Sequence, residues 1–175
     1  MVGGSNLVFN CGALYNTKMT FTDSATKYGR KLPQTSIFDP VVCEIAYKWF
    51  SKENDKIIDP FAGGSVRGLV AGVLKRNYTG IDLSEKQIEA NYQQYEEISK
   101  KYNGITKPNW IIGDSLDCKK LANDKYNLLF TCPPYYDLEV YSDKENELSN
   151  KGTYEEFIDI YIYANNKKCL RYARG

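Results

Sequence analysis

The sequence predicts an α/β fold in which a mainly parallel sheet is flanked by helices. Four short apolar stretches alternate with longer stretches whose apolar residues recur at helical spacing. The short stretches are apolar on both faces, as is typical of parallel strands that helices cover on each side. Turn-forming glycine, aspartate or proline follows each short stretch, so the strand ends are also marked.

The length and composition are those of an ordinary globular domain. The 175 residues are 42% hydrophobic and 26% charged, which excludes a disordered or fibrous chain. No apolar run reaches the roughly 18–20 residues of a membrane span. Residues 1–6 lack the basic and apolar regions of a signal peptide. We therefore expect a cytoplasmic protein that has no membrane partner.

Charge, histidine and cysteine usage exclude several functional classes. The net charge of +1 excludes nucleic-acid binding by bulk charge, although a local basic patch remains open. The sequence has no histidine, which excludes Ser-His-Asp and Cys-His catalysis and histidine-ligated zinc. The five cysteines include no Cys-x-x-Cys pair, so we expect neither a disulfide framework nor a metal site.

The first predicted helix begins at Pro40, because Asp39 is a good N-cap and proline suits the first helical position. Its apolar residues recur at helical spacing, and they predict the face that packs on the sheet. That predicted face consists of Val42, Ile45, Ala46, Trp49 and Phe50.

The remaining elements follow in alternation. The strands are predicted over residues 56–59, 77–82, 110–112 and 126–131, each a short apolar run before a turn. Capping boxes that pair Ser84 with Gln87 and Thr153 with Glu156 predict the starts of two further helices. The helices after the first, second and fourth strands are predicted to pack through the apolar residues Val66, Leu69, Val70, Val73 and Leu74, then Ile88, Tyr92, Tyr95 and Ile98, then Phe157, Ile160, Tyr161 and Ala164.

Candidate ligand-binding residues follow three of the predicted strands. In parallel sheets, ligands bind beyond the carboxyl ends of the strands, where the strand order reverses. Glycines there let the backbone approach a ligand, and a following helix presents its N–H groups. The residues at and after the end of the first strand are Asp59, Pro60, Phe61, Ala62, Gly63, Gly64 and Ser65.

The second and third strands end in carboxylates. Asp82 suits the two hydroxyls of a ribose, and Asp114 with Ser115 suits an adenine amino group. Each element alone is more typical of an ordinary tight turn or a helix cap, but three in order predict a nucleoside site. Neither the dinucleotide spacing of glycines nor Gly-Lys-Ser/Thr occurs, so a ligand without phosphates, such as S-adenosylmethionine, is favoured.

The fourth strand ends in Cys132, Pro133, Pro134 and Tyr135. The two prolines hold a rigid turn and leave the Pro133 carbonyl free to accept a hydrogen bond. The aromatic ring of Tyr135 offers a stacking surface for a flipped-out base. A proline turn with Tyr135 packed into the surface is the alternative interpretation.

Together these residues resemble the motifs of S-adenosylmethionine-dependent DNA amino-methyltransferases, which methylate the exocyclic amine of adenine or cytosine. The run from Asp59 to Ser65 is similar to their cofactor motif. The run from Cys132 to Tyr135 resembles their catalytic tetrapeptide, (Asp/Asn/Ser)-Pro-Pro-(Tyr/Phe/Trp). The run over residues 137–142 looks most like phage or prophage-type modification methylases, and the resemblance covers about residues 33–162.

The resemblance implies a Rossmann-like fold, S-adenosylmethionine as cofactor and DNA as partner. It places Thr35, Ser36 and Phe38 near the cofactor, and the first and fourth strands side by side in the sheet. The glycine turn then holds the methyl donor opposite an amine that the Pro133 carbonyl and the side chain of residue 132 contact. Direct transfer needs positioning and no covalent intermediate, so the lack of histidine is no obstacle.

Cys132 departs from the family's tetrapeptide. A thiol is a weak acceptor, so activation of the amine would rest more on the Pro133 carbonyl. Serine is the closest isostere and is associated with cytosine products, but the target base stays open. Nucleophilic attack by Cys132 on a pyrimidine ring carbon is an alternative, although carbon-5 methyltransferases resemble Pro-Cys in order and not Cys-Pro.

The predicted strands are fewer than the resemblance implies. We therefore expect an irregular N-terminal arm over residues 1–34 and a partial catalytic domain over residues 35–175, incomplete at its C-terminus. A homodimer or a partner chain would complete the sheet. The alternative function is a catalytically silent remnant that binds cofactor or DNA and assembles with a partner. Amine methylation of RNA or protein is a third interpretation.

Overall fold

A computed structural model describes residues 38–133 and 153–162. Predictions on residues 1–37, 134–152 and 163–175, including the irregular arm, lie outside the described residues. The helices are α1 (Pro40–Phe50), α2 (Val66–Val73), α3 (Glu85–Lys101), α4 (Cys118–Leu121) and α5 (Tyr154–Ile162). The strands are β1 (Lys56–Asp59), β2 (Asn77–Asp82), β3 (Asn109–Ile112) and β4 (Leu128–Leu129). A short 3-10 helix, Ser115–Asp117, precedes α4.

The four described strands form one parallel sheet in the order β3-β2-β1-β4. In the register of this sheet, Ile58 of β1 lies opposite Thr79 on one side and Leu129 on the other. The order runs outward from β1 to β3 and then reverses to β4, as in the first half of a Rossmann sheet. The predicted α/β, Rossmann-like fold is therefore confirmed, and β1 and β4 are neighbours as expected.

The strand bounds agree with the prediction except at β3 and β4. Strand β3 begins one residue earlier than predicted, at Asn109. Strand β4 is shorter than the predicted 126–131, with ladder pairs only at Leu128 and Leu129. The amides of Asn127 and Phe130 still donate to the carbonyls of Lys56 and Ile58, at 2.8 and 3.1 Å. The chain therefore runs along β1 for longer than the two-residue strand itself.

The predicted helix starts are made by side chains that accept backbone N–H groups. Asp39 Oδ1 accepts from Val41 N at 2.7 Å, and Pro40 opens α1 as predicted. Ser84 Oγ accepts from Gln87 N at 3.3 Å at the start of α3. In a full capping box the Gln87 side chain would accept from the backbone N–H of Ser84. Here it instead donates to Asn91 Oδ1 at 2.9 Å.

Helix α5 also begins at its predicted cap. Glu156 N donates to Thr153 Oγ1 at 3.2 Å. The helix ends at Ile162, so Ala164 of the predicted apolar face lies outside the described residues.

The predicted packing face of α1 is wrong. The buried residues of α1 are Pro40, Cys43, Glu44 and Tyr47, whereas Val42, Ile45, Trp49 and Phe50 are exposed and Ala46 is half-buried. Tyr47 is fully buried, while Trp49 is 76% exposed. Apolar residues lie on more than one face of α1, so helical spacing alone does not select one. The sheet side takes Tyr47, whose hydroxyl donates to the carbonyl of Arg67 at 3.1 Å.

The hydrophobic core lies on both faces of the sheet. Successive strand residues point to opposite faces, and Ile57 belongs to a larger cluster with α1, α2 and α3 while Ile58 belongs to a smaller one with Cys118. The predicted packing residues Leu69, Val70, Leu74, Ile88 and Ile98 are buried. In the described part of the chain, no helix is both long and apolar enough to cross a membrane.

Candidate active site

The candidate site lies at the carboxyl ends of β1 and β4, where the strand order reverses. The glycine turn, residues 60–65, follows β1, and Cys132 and Pro133 follow β4 after two residues. Phe38, predicted to lie near the cofactor, packs edge-on against Phe130 with ring centroids 5.7 Å apart. The predicted site residues Thr35, Ser36, Pro134 and Tyr135 lie outside the described residues.

The glycine turn is tied to β2 and α3 and borders open space. Gly63 has a φ of 50°, a left-handed conformation that glycine adopts without strain. Its amide donates to Asp82 Oδ2 at 2.9 Å, and its carbonyl accepts from Asn91 Nδ2 at 2.8 Å. A Cβ atom placed on Gly63 or Gly64 would meet no atom of the described residues within 4 Å. The turn therefore leaves room for a ligand against its backbone.

The other residues of the glycine turn differ in exposure. Pro60 and Ala62 are buried, and Phe61 is half-buried. Ser65 is buried at the start of α2, and its hydroxyl hydrogen-bonds to the Gln94 side chain of α3. The buried residues of the turn thus pack into the protein, whereas Gly63 and Gly64 lie on its more accessible side.

Asp82 lies at the end of β2, beside the glycine turn. Its carboxylate is half-buried and accepts from the amides of Gly63 and Ser84, the latter at 2.8 Å. Burial raises the pKa of Asp82 above its usual 3.8, although these two amides act in the opposite direction. A carboxylate oxygen can accept more than one hydrogen bond, and each Asp82 oxygen accepts one from the backbone. Asp82 therefore keeps the capacity to accept from the hydroxyls of a ribose.

Asp114 and Ser115 lie at the same edge of the sheet, beyond β3. The amide of Gly113 donates to the carbonyl of Asp82 at 2.9 Å, which joins the ends of β2 and β3. Asp114 Oδ1 accepts from Leu116 N at 2.8 Å and so caps the 3-10 helix. The helix-cap interpretation thus holds for this oxygen, and both residues are half-buried next to the Asp82 strand end.

Asp59 occupies a different position from the other two aspartates. It is fully buried, and its carboxylate receives hydrogen bonds from four parts of the chain. Oδ1 accepts from Thr131 Oγ1 at 2.7 Å and from Phe61 N at 3.2 Å. Oδ2 accepts from Arg67 Nε at 2.6 Å and from the Tyr78 hydroxyl at 2.7 Å. The buried carboxylate of Asp59 therefore connects the glycine turn, α2, β2 and the segment after β4 through hydrogen bonds.

Arg67 is a central residue of the site that the sequence analysis did not identify. Its Nη2 donates to the carbonyls of Phe61 and Ala62 at 2.6 and 2.9 Å, and its guanidinium lies 4.9 Å from the Phe38 ring. Burial disfavours its charge, but the Asp59 carboxylate outweighs that effect, and the pKa of Arg67 lies above its usual value. Arg67 is the one charged residue in the otherwise apolar sequence of α2, and this pattern could have predicted a buried ion pair.

Tyr78 and Thr131 were also not identified, and they complete the hydrogen bonds to Asp59. Burial, followed by the Asp59 charge, raises the pKa of Tyr78, so its hydroxyl stays a donor. Tyr78 lies within β2, and Thr131 lies one residue before Cys132, at a point where the sequence carries no motif. Cys132 is a half-buried free thiol, and Pro133 is also half-buried.

Comparison with known proteins finds a methyltransferase that is similar to part of the chain. Over 55 residues the chain is 42% identical to the type II methyltransferase M.HinfI of Haemophilus influenzae. That stretch is 31% of this chain, and the chain spans only 15% of the length of this curated relative. No protein-family model matches the chain.

Solved methyltransferase structures are also similar. TrmN from Thermus thermophilus matches with a TM-score of 0.46 and 17% identity, over 55% of this chain and 29% of that one. An rRNA methylase from Streptococcus thermophilus matches with a TM-score of 0.45 and 12% sequence identity, over 71% of this chain and 66% of that one. The arsenic(III) S-adenosylmethionine methyltransferase of Chlamydomonas reinhardtii matches with a TM-score of 0.41 and 20% sequence identity, over 45% of this chain and 29% of that one. The strand order β3-β2-β1-β4 of this chain is itself that of a Rossmann-like sheet.

The glycine turn and the Cys132–Pro133 segment thus follow adjacent strands at the switch point of a Rossmann-like sheet. The predicted resemblance to methyltransferases is confirmed over 55 residues by a type II methyltransferase.

Proposed function

We propose that the chain is the cofactor-binding and catalytic part of an S-adenosylmethionine-dependent methyltransferase that acts on the exocyclic amine of adenine or cytosine in DNA. One observation carries this proposal. The buried Asp59 carboxylate holds the glycine turn, through Phe61 N and Arg67, and the segment before Cys132, through Thr131. In this proposal the methyl-donor site and the amine site are therefore both attached to the Asp59 carboxylate.

The residues of the glycine turn fit a nucleoside cofactor. Gly63 and Gly64 border open space, and Asp82 lies at the same edge with both oxygens able to accept further hydrogen bonds. Asp114 and Ser115 lie beyond Asp82, where an adenine amino group would be received. When bound, S-adenosylmethionine supplies an electrophilic methyl group on a sulfonium centre.

Cys132 and Pro133 would receive the amine. The Pro133 carbonyl accepts a hydrogen bond from the amine, and the Cys132 side chain is a weaker second acceptor. Tyr135 provides the stacking surface for the base in this proposal. These residues orient the amine for a direct transfer, which requires alignment and no covalent intermediate.

The same proposal covers the organisation and setting of the chain. Residues 35–175 belong to the catalytic domain and residues 1–34 precede it as an arm. DNA is the macromolecular partner, and a second copy or a partner chain pairs with the sheet. The cytoplasm is the proposed location.

A methyl-transfer assay tests the proposal. The purified chain is incubated with radiolabelled S-adenosylmethionine and plasmid or phage DNA, and the digested nucleosides are analysed by mass spectrometry. Label in N6-methyladenine or N4-methylcytosine supports the proposal and identifies the base. Label in 5-methylcytosine supports the cysteine-nucleophile alternative. Cofactor binding without transfer supports the silent remnant, and competition by RNA that abolishes DNA labelling supports an RNA substrate.

A further inference from the structure

At Thr131 the hydrogen bonds that join the β4 segment to β1 change from backbone to side chain. The last backbone hydrogen bond between the two segments runs from Phe130 N to the carbonyl of Ile58, at 3.1 Å. The next residue is held by its side chain, because Thr131 Oγ1 donates to Asp59 Oδ1 at 2.7 Å. Cys132 and Pro133 follow directly. The Thr131 hydroxyl is thus the hydrogen bond to β1 that lies nearest to the catalytic segment among the described contacts.

The acceptor of this hydrogen bond is itself fixed. Asp59 is fully buried, and its other oxygen accepts from Arg67 Nε and the Tyr78 hydroxyl. Arg67 also donates to the carbonyls of Phe61 and Ala62 in the glycine turn. Thr131 therefore binds the same carboxylate, and through it the same arginine, that hold the glycine turn.

We propose that Thr131 is a positioning residue for methyl transfer, whose hydroxyl sets the placement of Cys132 and Pro133 relative to Gly63. This role rests on the proposed methyltransferase function. A displacement of about 1 Å between reacting groups costs on the order of a hundredfold in rate. A single hydroxyl that sets this distance consequently affects turnover more than cofactor binding, because the contacts of the Gly63 turn with Asp82 and Asn91 do not involve Thr131.

Two matched variants separate positioning from support of the fold. Thr131→Val keeps the shape of the side chain and removes the donor, whereas Thr131→Ser keeps the donor. For Thr131→Val we expect kcat to fall about tenfold to a hundredfold, with the KM for S-adenosylmethionine changed by less than about twofold. Thr131→Ser is expected to restore most of the turnover.

A second readout needs no methyl transfer. Each variant is treated with iodoacetamide, and the alkylation rate of each cysteine is followed by peptide mass spectrometry. Cys132 is half-buried, whereas Cys43 and Cys118 are buried and report on opening of the core. Thr131→Val is expected to speed alkylation of Cys132 by about threefold or more, with Cys43 and Cys118 unchanged, because only the local segment is released.

The outcomes distinguish this role from the proposed function. Unchanged turnover and unchanged Cys132 reactivity in Thr131→Val overturn the positioning role. Faster alkylation of all three cysteines, with loss of S-adenosylmethionine binding, also overturns it, since the residue then only supports the fold. A wild-type chain that neither binds S-adenosylmethionine nor methylates DNA overturns the proposed function, and selective Cys132 alkylation in Thr131→Val then shows that the Thr131–Asp59 connection exists independently of it.

Discussion

At the scale of single residues, aspartates at the ends of neighbouring strands have opposite environments. Asp59 is fully buried and receives hydrogen bonds from Thr131, Arg67, Tyr78 and a backbone amide. Asp82 is half-buried and receives two backbone amides. Sequence position alone gives both residues the same role, because each ends a strand before a turn. Burial divides the roles: Asp59 connects the strand ends through its hydrogen bonds, and Asp82 is the residue that we propose contacts the cofactor.

Replacing Asp82 with asparagine is expected to weaken cofactor binding while the chain stays folded. The amide keeps one acceptor oxygen, so one of the two backbone amides or a ligand hydroxyl loses its partner. We expect the affinity for S-adenosylmethionine to fall about tenfold, as for loss of one charge-assisted hydrogen bond. Isothermal titration calorimetry measures this. Asp124→Asn is the matched control, since Asp124 pairs with Lys56 at the amino end of β1; an equal loss in both variants would contradict the assignment.

The raised pKa of Asp82 predicts a pH dependence of stability. Because its pKa is higher in the folded chain than its usual 3.8, the folded state binds the proton more tightly. The stability that Asp82 contributes is therefore complete below 3.8 and is lost as pH rises through the folded-state pKa. Asparagine has no such dependence, so the melting temperature of Asp82→Asn should gain on the wild type as pH rises from acid to neutral.

Asp124 supplies the control with the opposite sign. The side-chain hydrogen bond from Lys56 lowers the pKa of Asp124, so any stability from Asp124 is present at neutral pH and lost on acidification. Melting curves across the same pH series measure both differences. Parallel curves for the wild type and Asp82→Asn would show that burial of Asp82 has no energetic effect.

Cys132 gives a test of the chemistry. We expect Cys132→Ser to retain methylation of the exocyclic amine, because a hydroxyl is a better acceptor than a thiol. Cys132→Ala removes the acceptor and should be slower than Cys132→Ser, with residual activity supported by the Pro133 carbonyl. Mass spectrometry of methylated nucleosides measures both variants. Complete loss of transfer in Cys132→Ser would indicate that the thiol is a nucleophile.

At the scale of elements, prediction succeeded where one local signal determines the outcome. The bounds of β1 and β2 follow from short apolar runs that end at Asp59 and Asp82, and the start of α1 follows from Asp39 and Pro40. The face of α1 was mispredicted because apolar residues lie on more than one side of the helix. Its orientation depends on contacts made elsewhere in the chain, such as the Tyr47 ring against Phe130 at 5.2 Å.

Substitution on the two faces of α1 tests this orientation. Tyr47→Ala removes a buried ring and the donor to the Arg67 carbonyl, so we expect a loss of about 3–5 kcal/mol in the free energy of unfolding. Trp49→Ala removes a ring that is 76% exposed, and we expect a change within about 0.5 kcal/mol. Urea denaturation measures both. Comparable losses would mean that Trp49 is buried in the folded chain, contrary to the described structure.

At the scale of the whole molecule, the site is a product of the strand order. Asp59, Tyr78 and Thr131 belong to three adjacent strand segments, and they meet because β1 lies between β2 and β4. The glycine turn and the Cys132 segment were predictable, since each carries a local motif with a chemical meaning. The hydrogen bonds between them were not, because Thr131 and Asp59 are 72 residues apart in the sequence and only the folded sheet brings them together.

Such a shared buried anchor predicts that Asp59 and Arg67 act as a unit in the stability of the whole domain. Their side chains are 0% and 6% exposed and 2.6 Å apart. Asp59→Asn leaves the Arg67 charge buried without its partner, and we expect it to cost about 3–5 kcal/mol in the free energy of unfolding. Arg67→Met should also be costly, because the carbonyls of Phe61 and Ala62 lose their donor.

The double variant Asp59→Asn/Arg67→Met separates a coupled pair from two independent residues. With both charges removed, no unpaired ion is buried, so its loss should be smaller than the sum of the single losses by about 1–3 kcal/mol. Urea denaturation of all four chains gives this coupling energy. The exposed Lys56–Asp124 pair provides a matched cycle in which a much weaker coupling is expected, because water screens both charges. Additive losses at Asp59 and Arg67 would mean that the ion pair is not the anchor that joins the strand ends.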